Sequence, residues 1–307
     1  MSNPDVVPAA RLRTMRRAAW ASIVANAVIV VTGGAVRLTA SGLGCPTWPK
    51  CTSTSFTPEA HLHGIIEFGN RLLTYVLVAI AIWAFVAAWR TARRDLRKIA
   101  FLAALGIPVQ AVLGGITVLT GLTWWVVGAH MILSMILIGL SVLLLHRTYS
   151  TSAPRRGPAV VLAWIVLAAA ALVIVLGVVV TGAGPHAGDA DVPRSGLDTL
   201  QVSQLHADAV FLYIGLTVGL LLLLLATGAP RASVRAAWWL IGVQLAQAVI
   251  GFVQYFTGVP EVLVGAHMAG TTMVAGWTTW LLLQVRQPPR EPRGDEPVQD
   301  LAATTSA

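Results

Sequence analysis

The pentapeptide Val-Gly-Ala-His-Met occurs twice in this chain, at Val127 to Met131 and at Val264 to Met268, each time near the start of a long apolar run. The match extends upstream without a gap. Gln110-Ala111-Val112-Leu113-Gly114 and Thr120-Gly121 are answered by Gln247-Ala248-Val249-Ile250-Gly251 and Thr257-Gly258. From Gln110 to Met131, 11 of 22 positions are identical at a constant offset of 137 residues. Self-similarity of this kind marks a duplication, so two copies of one folding unit are expected. What is duplicated includes a histidine inside an apolar run, and an ionisable side chain kept within a membrane span is a functional residue by default.

Apolar runs dominate the chain. With 56% hydrophobic and 11% charged residues and a mean hydropathy of +0.74, its 307 residues do not fit a soluble globule. Eight stretches are long enough to cross a hydrocarbon layer of about 30 Å. They lie at Ala18 to Val36, Ile65 to Ala88, Ile99 to Leu119, Trp124 to Leu145, Val160 to Val180, Ala209 to Ala226, Ala236 to Phe256 and Val262 to Leu283. The expected fold is an all-α membrane protein whose eight transmembrane helices form two four-helix repeats. Because four spans separate equivalent points, both repeats enter the membrane from the same side, which implies a pseudo-two-fold axis along the membrane normal.

Lys and Arg beside spans stay on the cytoplasmic side, and alternate connections differ sharply in them. Arg11 to Arg17, Arg90 to Lys98, Arg147 to Arg156, Arg231 to Arg235 and Arg286 to Arg293 hold most of the basic residues, whereas the opposite loops hold little beyond Arg37, Lys50 and Arg194. Both termini are therefore expected in the cytoplasm of a cell embedding the protein in its plasma membrane. The net charge of +8 reflects this orientation and implies no nucleic-acid partner. The expected parts are a cytoplasmic tail at 1–17, a first repeat at 18–150, a linker at 151–158, a second repeat at 159–285, and a Pro-, Arg- and Glu-rich disordered tail at 286–307.

The first outer loop, from Arg37 to Ala60, holds both cysteines, in Cys45-Pro46-Thr47-Trp48-Pro49-Lys50-Cys51. In an oxidising compartment a disulfide is the default. Two free thiols, or a zinc site shared with His61 or His63, are the alternatives, and the spacing suits none of the usual zinc fingers.

The second, fourth, sixth and eighth spans all run inward, and each has its polar residues in the first turns. Glu67, Asn70 and Arg71, then His130, His206 and His267, form a polar layer at one depth. Histidines from two helices, meeting in an apolar bundle, suit axial ligation of haem iron. Read singly, each is equally an interfacial residue bonded to water or a carbonyl. Gly128 and Gly265, two residues before their histidines, would let a flat ring approach the helix. His146, beside Arg147, is expected to be solvated, and His186 to lie on an outer surface where it could gate access. Glu67 lies on one helical face with His63, Asn70 and Arg71. It is either half of an ion pair with Arg71 that anchors the helix end or an acid that handles protons or orients a substrate.

These residues resemble the haem A synthases from about Ala18 to Leu283. The resemblance rests on Gly-x-x-x-Arg-Leu-Thr-x-Ser-Gly-Leu at Gly33 to Leu43, the cysteine pair Cys45 and Cys51, the segment Glu67 to Arg71, and His130, His206 and His267. It implies an oxidoreductase that converts a ring methyl of farnesylated haem O to a formyl group by successive hydroxylations, giving haem A for terminal oxidases. It also implies a haem b cofactor between His206 and His267, and a substrate site with His130, Glu67 and Arg71 in the first half. Haem O synthase, factors of terminal-oxidase assembly and an electron-transfer partner follow as partners. Many members have histidine three residues after the glutamate. Here that residue is Asn70, a poor iron ligand, so either His130 alone holds the substrate iron or His63 supplies a second ligand. The second outer-loop cysteine pair of some members is also missing, between Gly182 and Thr199.

Two other classes compete. A bis-histidine cytochrome that only relays electrons would need matched histidine pairs, and this chain offers one pair plus a single histidine with an acid. A transporter built from parallel repeats would place its polar site at the midplane on broken helices.

Overall fold

The computed structural model describes residues 7–189 and 191–288. Its elements are eight helices: α1 (Ala9–Leu38), α2 (Leu62–Arg90), α3 (Arg94–Leu119), α4 (Trp124–Arg147), α5 (Pro158–Ala183), α6 (Thr199–Ala226), α7 (Arg231–Phe256) and α8 (Glu261–Arg286). Among the described residues there is no strand. At about 1.5 Å per residue each helix is long enough to cross a bilayer. Seven are also apolar enough to do so on composition, and α8 is not. The eight expected spans are thus eight helices of which seven carry the composition of a span. The reason lies in position: α8 packs against α1, α4, α5 and α7, and its Gly265, Ala266, Ala269, Gly270, Thr271 and Thr272 trade apolar bulk for close approach.

Helices α1 to α4 form one closed ring, each packed on the next and α4 on α1, and α5 to α8 form another. The rings join through α4 and α8 at the centre, with α4 also on α5 and α8 also on α1. In each ring the even-numbered helices face one another diagonally. Large side chains such as Trp20, Trp89, Trp164, Trp238 and Trp239 point outward, as expected of a surface that meets lipid, and they gather towards the Arg-rich end like an interfacial aromatic belt.

The helix ends explain the boundaries. Pro158 opens α5, where its missing N–H costs nothing, and Asp198 caps α6 by accepting from the N–H groups of Leu200 and Gln201 at 2.8 and 3.1 Å. That cap starts α6 ten residues before the apolar run, which carries His206 inside the helix. The α3–α4 and α7–α8 turns have the same shape: Gly121 and Leu122 both have positive φ (61° and 57°), as do Gly258 and Val259 (78° and 62°). Of the basic lead expected as a tail, Ala9 onward is already helix; the terminal tail beyond Pro288 lies outside the described residues.

His146 corrects an expectation. It is wholly buried, edge-on to Trp280 with ring centres 5.4 Å apart, because the basic end of central α4 is covered by α8. His186 is half-buried rather than on the surface. Its Nε2 lies 3.0 Å from the Val259 carbonyl, and its own carbonyl accepts from Arg37 Nε.

Candidate functional site

The second ring brings His206 and His267 together, edge to face. Their ring centres are 6.4 Å apart at 74°. Two metal–imidazole bonds of about 2 Å separate the bonded nitrogens by about 4 Å, and adding a ring radius of about 1 Å at each side gives a spacing of that size. Both Nδ1 atoms, and that of His130, are buried without a hydrogen-bond partner among the described residues. A buried unpaired polar atom costs about 1–3 kcal/mol, so each of these imidazoles would gain from a further partner, as would that of His146, whose two ring nitrogens are likewise unpaired among the described residues. No three His, Cys, Asp or Glu side chains among the described residues gather around a bare metal ion; an axial haem site needs only two donors.

Each of these histidines rests on a glycine of the preceding helix. A Cβ at Gly114 would fall 3.2 Å from His130 Cε1, at Gly177 3.2 Å from His206 Cε1, and at Gly251 3.3 Å from His267 Cε1. These seats went unrecognised in the sequence, although Gly114 and Gly251 lie inside the duplicated block. Gly128 and Gly265 serve another purpose than the one expected of them. Gly128 faces Val178 of α5 and Gly265 faces Leu38 of α1, so both let the two rings of helices approach. Gln110 and Gln247 were also missed as site residues. Gln110 Nε2 donates to the carbonyl of His130 at 3.1 Å, and Gln247 Nε2 to that of His267 at 2.9 Å, bracing the turn that aims each imidazole.

The first ring has the same frame with one substitution. Asn70 sits on α2 against Gly33 of α1, its Nδ2 3.8 Å from where a Cβ would be. That is the seat His206 takes against Gly177. Thr32 Oγ1 lies 2.7 Å from Asn70 Oδ1 and fixes the amide. In that seat the first ring thus sets a carboxamide, rather than a second imidazole, across from His130. His63 stands seven residues, about 10 Å, nearer the helix lip than Asn70. It is exposed there, with Nδ1 2.9 Å from Ser41 Oγ.

Glu67 and Arg71 organise the loop above this site. Glu67 is 5% exposed. Its Oε2 accepts from the Cys45 N–H at 2.6 Å, and its Oε1 accepts from Arg71 Nε and Nη2 at 3.1 and 2.5 Å. Arg71 also donates to the carbonyls of Cys45, Thr47 and Lys50 at 2.8, 3.0 and 3.2 Å. Cys45 and Cys51 are joined by a disulfide. Of the alternatives, the bridged form and the helix-anchoring ion pair are the ones present. The clamped loop delivers Trp48 onto α3, where a Cβ on Gly115 would lie 2.4 Å from the indole, next to the glycine that seats His130.

The sequence pattern of the COX15-CtaA family, described as Cytochrome oxidase assembly protein, matches residues 16–195, well over half the chain. The chain is similar to the Heme A synthase of Geobacillus kaustophilus (strain HTA426), 32% identical over 133 residues, which are 41% of this chain and 41% of that one. It is similar to the Heme A synthase of Geobacillus thermodenitrificans, 33% identical over 150 residues, 47% and 45% of the two chains. The Heme A synthase of Bacillus pumilus (strain SAFR-032) is 37% identical over 114 residues, 36% and 37%. Each alignment spans less than half the length of the relative.

Proposed function

We propose that this chain, which belongs to the COX15-CtaA family of cytochrome oxidase assembly proteins, is a haem A synthase that oxidises a ring methyl of haem O to a formyl group. The single observation that carries the reading is the inequality of the two polar sites: an edge-to-face imidazole pair in one ring, and an imidazole with a carboxamide in the same seat of the other. An electron-relay haem can have both axial positions filled, whereas a reacting haem needs a free one. The family and the names of the relatives agree with this assignment.

His206 and His267 are read as the ligands of a resident haem b, which when bound supplies electron transfer. Their role is to hold iron in an apolar site, aimed by Gln247 and seated on Gly177 and Gly251. His130 is read as the ligand of the substrate haem O, with Asn70 leaving the other face of its iron open. Glu67 positions the disulfide loop through Arg71 and the Cys45 N–H, so that Trp48 covers the first-ring site. An exchange of protons at Glu67 would have to proceed from within that clamp.

The two rings are further read as repeats, 18–150 and 159–285, related by a pseudo-two-fold axis along the membrane normal. The repeated sequence, the paired left-handed turns at Gly121-Leu122 and Gly258-Val259, and the equivalent bonds of Gln110 and Gln247 support this. The Arg-rich end is assigned to the cytoplasm and the disulfide loop to the outside of the plasma membrane, on the distribution of basic residues. Haem O synthase, oxidase-assembly factors and an electron-transfer partner are its proposed partners.

The test is purification from cells that make haem b, haem O and haem A, followed by pigment extraction and supply of haem O. Haem b together with haem O or haem A, and conversion of added haem O to haem A, is the expected result. Haem b alone, with no conversion, would identify an electron relay instead.

A further inference from the structure

Seven to eleven residues below the histidine layer, counted towards the Arg-rich end, the two rings are filled in different ways. In the second ring Tyr213 lies seven residues past His206 and Gln244 seven before Gly251, while Thr217 and Thr278 lie eleven past His206 and His267. All four are buried. The Tyr213 hydroxyl bonds Thr278 Oγ1, which itself donates to the Val274 carbonyl at 2.7 Å. Gln244 Nε2 donates to Thr217 Oγ1 at 2.8 Å, and Thr217 to the Tyr213 carbonyl at 2.9 Å. The level is closed by a bonded plug.

At the same offsets from Asn70, Gly114 and His130 the first ring has Leu77, Ala81, Ile107 and Ser141. No side-chain hydrogen bond ties Leu77, Ala81 or Ile107, and a small cavity of about 20 Å³, room for a single water, remains between the four helices, lined by these residues together with Ser22 and Asn26 and by a run of alanines on α2 and α3. Asn26 is 8% exposed. Its Nδ2 donates to the Ser22 carbonyl, and its Oδ1, at the cavity wall, accepts no hydrogen bond among the described residues. Aliphatic side chains around a void can turn aside for an apolar ligand, because no bond is broken when they move. Displacing Tyr213 would strand its buried hydroxyl, which bonds Thr278, at about 1–3 kcal/mol.

We infer that these levels sort the two haems: the first ring yields to the isoprenoid tail of its substrate, and the Tyr213 plug denies the second ring to any tailed haem. The inference rests on the proposed function for the identity of the tail. Specificity of this kind combines a site that accepts one ligand with a barrier against it elsewhere.

The experiment uses the full chain in lipid nanodiscs, titrated with haem O and with tail-less haem b. A variant carrying L77Y, A81T and I107Q copies the plug into the first ring with side chains that the second ring already accommodates. It is expected to weaken haem O binding there by roughly tenfold or more, with haem b binding at that site and the second-ring spectrum unchanged. The reverse variant, Y213L with Q244I, is expected to let haem O enter the second ring. Equal haem O binding by the plugged and unaltered chains would overturn the inference and leave the cavity as a site for water alone. If the plugged variant loses its second-ring spectrum, Ala81→Leu gives the same reading with a smaller change. A chain that binds haem O in the cavity-dependent way but never forms haem A would uphold the sorting and remove the proposed reaction.

Discussion

The two rings of helices share a frame and differ in what they place inside it. Each sets a histidine on its last helix, seats it on a glycine one helix earlier and braces its turn with a glutamine. Across the bundle the second ring answers with His206 and the first with Asn70. Above the layer, the first ring has a disulfide loop clamped by Glu67 and Arg71, and the corresponding loop of the second ring has no cysteine. Below it, one ring is bridged by buried hydrogen bonds and the other is lined by aliphatic side chains around a void the size of one water. On the proposed function, the shared frame would hold a planar macrocycle between diagonal helices, and the differences would decide what is done with it.

The largest expected effect breaks the comparison at its centre. His206→Ala or His267→Ala should abolish the low-spin bis-histidine absorption spectrum, since a single remaining imidazole cannot fill both axial positions. His130→Ala should leave that spectrum intact and stop haem A production. His63→Ala should do neither, because His63 stands two turns nearer the lip and is tied to Ser41. Absorption spectra of the four purified variants, with haem A quantified in their membranes, check this. A bis-histidine spectrum that survives in both His206→Ala and His267→Ala would remove the assignment.

A smaller effect separates the two roles open to Glu67. If its work is to hold the loop, Arg71→Lys should harm the reaction as much as Glu67→Gln, since lysine cannot reach Glu67 and three carbonyls together. Removing one partner of a buried pair costs about 3–5 kcal/mol, and the partial exposure of Arg71 puts this pair at the low end. Both variants should accumulate haem O or a hydroxylated intermediate with the second-ring spectrum unchanged. Severe loss in Glu67→Gln beside near-normal turnover in Arg71→Lys would instead make Glu67 the acid.

Smaller still is the effect of the disulfide, which the clamp backs up. Thiol reagents should modify neither Cys45 nor Cys51 before reduction. The double variant C45S/C51S should raise KM for haem O severalfold with kcat little changed, as Trp48 loses its hold above Gly115. Labelling of both cysteines in the unreduced protein would dismiss the bond.

Much of this was legible in the sequence because membrane helices announce themselves by length and because the duplication aligned His130 with His267. The disulfide was legible from two cysteines six residues apart in one loop, given the outer compartment proposed for that loop. The glycine seats were not, since contact between Gly177 and His206 is a cross-helix register that depends on loop geometry. Reasoning along the chain therefore chose Gly128 and Gly265, neighbours in sequence that face Val178 and Leu38 instead. The burial of His146 was illegible for a related reason. Helices apolar on every side give no amphipathic cue to which is central, and Arg147 beside it suggested water. The plug at Tyr213 was hidden too, because its four residues come from three helices and meet only when the ring closes.

The subtlest comparison lies in the seat of Asn70. A Cβ on Gly33 would stand 3.8 Å from Asn70 Nδ2, an ordinary contact, whereas Cβ atoms on Gly114, Gly177 and Gly251 would crowd their imidazoles at 3.2–3.3 Å. Gly33→Ala should thus be nearly silent by itself, while Gly177→Ala should cost about 1–3 kcal/mol of overpacking and shift the second-ring spectrum. The seat beside Asn70 nevertheless retains a glycine's room. Asn70→His should therefore fit, and bound haem O should move from a high-spin to a low-spin spectrum as its open face gains a ligand. Combining the two changes tests whether the seats are equivalent: with His at 70, Gly33→Ala should become as costly as Gly177→Ala. If the double variant keeps the low-spin spectrum unshifted, α2 approaches its site by a different geometry from α6, and the likeness of the two rings ends at the histidines of α4 and α8.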